Sequence, residues 1–322
     1  MNQREITARV GLGLAALGRP AYINAGRNED LGPDRSVAQM ERRSHEVLDT
    51  AYEAGVRYVD VARSYGLAEA FLSSWLGSRD IPLGALTVGS KWGYVYTGGW
   101  RMDVDVHEVK DHSVGTFRRQ LEETRELLGD WLTLYQIHSV TADDDTLDDR
   151  ALLRELLRLH DDGLRVGLTV SGPRQAEAVW RALEVEEDGR NPFSSVQATW
   201  NLFEPSVSPA LADASGHGWT VIVKEVLANG RLTAHDGPRA AVDPLGSVAA
   251  RHRVGADAVA LAAALANPWA STVLSGAATS SQLLSNLIAT TVKLTTDELA
   301  ELGSLAETPE NYWAARSARP WT

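Results

Sequence analysis

Eight short apolar runs recur along the chain, at residues 10–17, 56–60, 86–91, 132–138, 166–171, 196–200, 221–225 and 272–276. Runs of this length, rich in Val, Ile and Leu and bounded by Gly or polar residues, read as buried strands. Most of the stretches between and after them carry helical periodicity. Residues 37–54 place Met40, Val47, Leu48 and Ala51 on one face, with Ser36 as N-cap and Gly55 just past the end. Residues 111–129 repeat the pattern with Val114, Phe117, Leu121, Thr124, Leu127 and Leu128, closed by Gly129. Further helices are expected over 152–162, 173–183, 205–216 and 280–289. Thr295 to Glu298 reads as a capping box opening one more, to about residue 305. A strand–helix repeat implies parallel strands joined by right-handed crossovers. Eight such units in 322 residues predict a closed (β/α)8 TIM barrel, an α/β fold, and a single domain over residues 1–322.

In such a barrel the C-terminal ends of all the strands converge on one mouth. Asp60, Lys91 and His138 each end an apolar run, and Tyr65 lies in the loop after the second. A carboxylate, a phenol, an ammonium and an imidazole gathered there are the parts needed to move a proton to a carbonyl. A metal centre would need two or three converging His or carboxylate ligands, and of the eight histidines only His138 ends a run, so no metal is expected. The glycines of Gly11-Leu-Gly-Leu-Ala-Ala-Leu-Gly18 are not spaced as a dinucleotide fingerprint, and a long loop and a helix separate them from the next strand. They predict a strand of small residues instead.

Composition excludes other classes. A net charge of −12 argues against a nucleic-acid partner, and no apolar run is long enough to span a membrane. There is no cysteine, hence no disulfide, thiol nucleophile or thiolate metal site. The first ten residues lack the apolar core of a signal peptide, which makes a cytoplasmic location the expectation. Oligomeric state is left open by the sequence. Three long Gly/Pro-rich stretches, 18–36, 92–110 and 229–247, read as loops. The second holds Trp92, Tyr94, Tyr96 and Trp100, and the tail adds Tyr312, Trp313 and Trp321. Aromatics in loops at a barrel mouth suit an apolar or ring-containing substrate, with Trp92, Tyr94 and Trp100 the expected contacts.

Several motifs together resemble one family, the aldo-keto reductases. Val59-Asp-Val-Ala-Arg-Ser-Tyr-Gly66 resembles the family signature, Gly89-Ser-Lys-Trp92 its lysine motif and Tyr135-Gln-Ile-His138 its histidine motif. The resemblance continues through residues 166–171, 196–203, 221–232 and 275–286, in order along nearly the whole chain. It implies a carbonyl reductase drawing hydride from NADPH, with NADH as the other option and a small-molecule carbonyl as the partner. It implies Tyr65 as general acid, Lys91 and Asp60 beside it and His138 orienting the carbonyl. Ser171 and Gln197 would hold the nicotinamide amide, Leu227 and Gly230 the pyrophosphate, and Gly276, Thr279, Gln282 and Asn286 the adenosine end. A second reading, also implied by the resemblance, is a nicotinamide-binding regulatory or redox-sensing subunit with little turnover.

The chain departs from the family pattern at three places. Gly172 stands where an Asn usually follows the serine. Lys224, followed by Glu225, stands where an aromatic usually stacks on the nicotinamide. No Arg or Lys follows Gly276 to grip a 2′-phosphate, a role that Arg231 is expected to supply if any residue does. The expected chemistry is simple. An ammonium within about 4–6 Å lowers a phenol's pKa, and Asp60 keeps Lys91 charged while it does so.

Overall fold

Residues 7–234 and 244–322 are described by the structure, a computed structural model. The first apolar run forms a strand only at Val10–Gly13 (β1), because the chain folds back at once: the amides of Leu17 and Gly18 both donate to the Leu14 carbonyl, at 3.1 and 2.9 Å. The remaining strands are Tyr58–Asp60 (β2), Thr87–Trp92 (β3), Tyr94–Tyr96 (β4), Glu108–Lys110 (β5), Leu132–Val140 (β6), Arg165–Val170 (β7), Ser195–Thr199 (β8), Thr220–Lys224 (β9) and Thr272–Ser275 (β10). All but β4 and β5 close into one parallel barrel in the order β1-β10-β9-β8-β7-β6-β3-β2. This is the (β/α)8 fold that the strand–helix repeat predicts. β4 and β5 pair antiparallel as a hairpin inside the stretch expected to be loop, with Tyr94 opposite Lys110 and Tyr96 opposite Glu108.

The barrel interior is filled by Tyr58, Leu134, Ile222 and Leu274, a cluster separate from the main core between barrel and helices. Gly11 makes room for it: a Cβ there would come within 2.7 Å of the Leu274 side chain and 2.9 Å of Tyr58. Outside, Val37–Glu53 and Val114–Leu128 bury the faces their periodicity foretold, each N-capped by a serine hydroxyl. Thr296–Gly303 opens with the expected capping box, in which Glu298 N and Thr295 N are both bonded by the partner side chain. Helices at Ala68–Ser78, Pro244–His252, Ala256–Leu265 and Pro309–Ser317 have no counterpart in the sequence reading. Ala256–Leu265 shows why: Ala258 through Leu265 are all buried, so the segment is apolar all round and carries no stripe. Among the described residues no helix is long and apolar enough to cross a membrane. The stretch 229–247 lies partly outside the described residues.

Candidate active site

Parallel ladders put the ends of β2, β3 and β6 side by side, with Asp60 in register with Gly89 and Lys91 with Gln136. Lys91 is fully buried, and its ammonium donates to Asp60 Oδ2 and, at 3.0 Å, to the Val61 carbonyl. The other carboxylate oxygen of Asp60 accepts from Gln197 Nε2 at 2.9 Å. The Lys91 ammonium also stands 4.7 Å from the centroid of the Tyr65 ring. Tyr65 and His138 meet edge to face at 5.5 Å. The four residues that the signature implies are thus in one place.

The loop carrying Tyr65 is held by close backbone packing. Gly66 has φ +61°, a conformation that L side chains rarely adopt, and a Cβ there would lie 2.5 Å from the Gly18 carbonyl. Gly18 has the converse need, since its Cβ would lie 2.2 Å from the Tyr65 carbonyl. Leu67 N donates to Gly18 O at 2.7 Å across this contact. Gly18 therefore serves the close approach of two loops. Beneath the loop, buried Glu69 accepts from Arg63, Ser90 and Thr124 at 2.5, 2.5 and 2.9 Å, tying it to β3 and to the helix Val114–Leu128.

His138 owes its aim to an irregularity. The β6–β7 register shifts between Ile137 and Val140, and Ser139 takes φ +56°, a bulge that turns the chain at the strand end. His112 Nε2 bonds the His138 carbonyl at 2.8 Å and Ser139 N donates to Thr169 Oγ1 at 2.7 Å, which pins the bulge. Burial, with Lys91, Lys224 and Arg19 nearby, holds the His138 imidazole well below its ordinary pKa, so it is neutral at pH 7.

Tyr65 corrects an expectation. Burial, and then the Asp60 carboxylate, push its phenol well above the usual value of about 10 rather than below it. The ammonium of Lys91 is spent on Asp60, and burial lowers its own pKa. The phenol is consequently protonated throughout the neutral range.

Tyr65, His138, Asp60 and Gln197 line a cavity of about 520 Å³ that continues past Lys224, Leu227 and Gly230 to Gly276, Gln282 and Asn286. Gln197 Oε1 is buried and has no hydrogen-bond partner among the described residues, although its amide nitrogen is committed to Asp60. An unpartnered buried acceptor on a residue that lines the cavity suits a ligand amide, and this is the feature that best fits a nicotinamide. Gly276 has nothing within 4 Å of where a Cβ would be, so side-chain volume is withheld there. Asn286 Nδ2 donates to Ser275 Oγ at 2.8 Å, and Gln282 Oε1 accepts from Ala278 N at 2.9 Å.

Several expected contacts fall elsewhere. Trp92 follows Lys91 in β3, and neighbours in a strand point to opposite faces. With Lys91 inside, Trp92 is driven outward, fully buried, 5.0 Å from the Phe117 ring, so it does not reach the cavity. Trp100 packs on Phe71 and donates to the Arg35 carbonyl, and it does not line the cavity either. Tyr94 sits in the hairpin with its ring 5.1 Å from that of His138. Ser171 and Gly172 follow the end of β7 without lining the cavity, and Thr279 N-caps the helix Ser280–Leu287. Arg231 is paired with Glu307 and covers the Phe203 ring at 4.2 Å, so as placed it is no phosphate clamp.

Other residues take part without any signal in the sequence. Arg19, 2% exposed, bonds the Ser64 carbonyl at 3.0 Å and Glu108 at 2.8 Å, and covers the rings of Tyr22, Tyr65 and Trp321. Of the tail aromatics, Trp321 lines the mouth, stacked on His107 at 4.1 Å. Glu225, at φ +56°, receives both nitrogens of the Arg316 fork, at 2.7 and 2.5 Å. Burial pushes the Glu225 carboxyl up, but Arg316 and then Lys224 hold it down at about 2. The folded pKa lies below the unfolded value of about 4.3, so the stabilisation is present above that value and is lost as pH falls toward 2. Arg316→Met is therefore expected to destabilise the protein by about 3–5 kcal/mol at pH 7, and the gap to the parent should narrow in acid unfolding between about pH 4.5 and 2. Thermal melts of both proteins across that range measure it.

The sequence profile of the Aldo/keto reductase family matches residues 10–307, and the chain belongs to that family. It is an NAD(P)H-dependent oxidoreductase acting on small-molecule carbonyls, as that membership entails. The fold is similar to the aldo-keto reductase AKR11C1 from Bacillus halodurans in its holo form (21% identity, 93% of this chain and 92% of that one, TM-score 0.67). It is also similar to the glycerol dehydrogenase AKR11B4 from Gluconobacter oxydans (23% identity, 92% and 90%, TM-score 0.66). No curated protein sequence matches the chain.

Proposed function

We propose that the protein reduces an aldehyde or ketone to the alcohol, with Tyr65 as the proton donor. The observation that carries this reading is that Tyr65 and neutral His138 line one cavity, beside the buried Lys91–Asp60 pair and together with Gln197, whose oxygen is unpartnered among the described residues. A nicotinamide supplies the hydride when bound. Gln197 Oε1 would accept from its amide, Leu227 and Gly230 would flank the phosphates, and Gly276, Gln282 and Asn286 would border the adenosine end. His138 donates a hydrogen bond to the carbonyl oxygen and fixes its direction, which a neutral imidazole can do without handing over its proton. Tyr65 then releases its proton to the oxygen as negative charge develops there. Its raised pKa does not prevent this, because an alkoxide is a far stronger base than a phenolate, and it keeps the acid loaded at rest. The buried Lys91 ammonium, 4.7 Å from the ring, limits the charge that the phenol must carry as the proton leaves.

NADPH is the cofactor that the family resemblance favours, and the proposal keeps it with NADH as a close competitor. The cations lining the cavity among the described residues, Arg19, Lys224, Arg316 and Arg319, belong to the β1 loop, the end of β9 and the tail. The end near Gln282 and Asn286 instead offers Ser281, Ser285 and the carboxylate of Asp257. Phosphate is normally gripped by Arg or Lys, so the dissociation constants for NADPH and NADH should differ by less than about a hundredfold. Fluorescence titration with each cofactor measures this, and a larger preference for NADPH would require a clamp from outside the described residues. The activity itself is tested by whether absorbance of the reduced nicotinamide falls when an aldehyde is added.

A further inference from the structure

We propose that Lys224 makes this site discriminate against the oxidised, positively charged nicotinamide, so that the protein binds the reduced cofactor more tightly and releases the oxidised one. The inference rests on the reading of the cavity as a nicotinamide site and goes beyond it to the redox state of the ligand.

The placement follows from the strand register. Gln197 and Thr199 are two apart in β8 and so point to the same, inward side of the barrel. Lys224 ends β9 directly opposite Thr199, and its ammonium donates to Thr199 Oγ1 at 2.7 Å. The ammonium thus stands one step nearer the mouth than the open oxygen of Gln197. A ring whose amide is held by Gln197 must lie beside it.

The charge there has no carboxylate to itself. Among the described residues, three other cations lining or backing the cavity each have a carboxylate: Lys91 has Asp60, Arg19 has Glu108, and Arg316 has Glu225, while Arg319 bonds the Ile23 carbonyl. Glu225 is also the carboxylate nearest Lys224, at 4.0 Å, but both its oxygens already bond the Arg316 fork. Lys224 is left with a neutral hydroxyl. The neighbouring His138 is neutral, and the phenols of Tyr65 and Tyr22 are held protonated by burial, so none of these supplies a countercharge near neutral pH. The surplus positive charge beside the ring belongs to Lys224. A reduced nicotinamide is neutral and feels little of it, whereas an oxidised one carries a like charge at short range.

Burial, then Arg316 and Lys91, opposed by Glu225, bring the Lys224 ammonium down to about 8. Deprotonation above that pH removes the like charge, while Glu225 and Arg316 stay ionised. Affinity for the oxidised cofactor should therefore rise through this range and that for the reduced form should hardly move.

The test is the ratio of dissociation constants, oxidised over reduced, for NADP⁺ and NADPH at pH 6.5 and 9.5, by calorimetry and fluorescence. Taking a ratio cancels effects common to both forms, including ionisation of the 2′-phosphate. The ratio is expected to fall on the order of tenfold or more between the two pH values in the native protein. Lys224→Met should show the low ratio at both pH values. Lys224→Arg, which cannot deprotonate, should keep the high ratio at both. Binding of both cofactors with a ratio indifferent to pH and to Lys224→Met would overturn this inference alone. Failure of either cofactor to bind the native protein would overturn the cavity assignment and the inference with it.

Discussion

Tyr65→Phe is expected to lower kcat by about 10²–10⁴-fold while leaving the dissociation constant of the reduced cofactor within about twofold of the native value. The substitution removes one oxygen and little else. The ring keeps its edge contact with His138 at 5.5 Å and its place beside Lys91 and the Arg19 guanidinium, at 4.7 and 5.2 Å. Neither phenylalanine nor neutral His138 can hand a proton to the developing alkoxide without leaving an unstable anion behind. The loss should appear in kcat and kcat/KM together, the pattern for an interaction made only in the transition state. Near-normal turnover in this variant would remove Tyr65 from the role of acid.

Lys91→Met is expected to reduce turnover at least a hundredfold and, unlike Tyr65→Phe, to cost stability as well. Lys91 and Asp60 are both buried, and among the described residues the ammonium is the only cation bonded to that carboxylate. Removing it leaves the buried Asp60 carboxyl without its cation and with Gln197 as a side-chain donor, a situation that costs about 3–5 kcal/mol. The double variant Lys91→Met, Asp60→Asn removes the stranded charge and should recover most of the lost stability without recovering turnover. Thermal melts and absorbance assays on the two variants separate the effects. Recovery of turnover in the double variant would show that Lys91 serves only to neutralise Asp60.

Much of this site is legible in the sequence because its information is local. Asp60, Lys91 and His138 end apolar runs, and strand ends in a parallel barrel can go only to one mouth. The spacing from Asp60 to Tyr65 then fixes the fourth group. What the sequence does not show is long-range or depends on one-residue phase. Trp92 adjoins Lys91 in the chain, yet the twofold alternation of a strand sends it to the helix layer beside Phe117. Arg231 has the charge a phosphate would want, but Glu307, 76 positions on, claims it. Arg316 reaches Glu225 from a tail helix 91 positions further along the chain. The hairpin of Tyr94–Tyr96 with Glu108–Lys110 hides among glycines that signal loop. Burial likewise reverses the expected direction for the Tyr65 phenol, an effect of the surroundings that no motif encodes.

Hydride is expected to pass directly from a bound nicotinamide to a carbonyl carbon while the protein supplies the proton. The most direct test of this transfer uses cofactor carrying deuterium at the nicotinamide C4, a panel of aldehydes and ketones, and mass analysis of the alcohols formed. Cofactor oxidation is expected to match alcohol formation one for one, with deuterium from the cofactor on the carbinol carbon and none arriving there from deuterated solvent. Alcohol formed without that label, or no cofactor oxidised by any member of the panel, would contradict direct transfer.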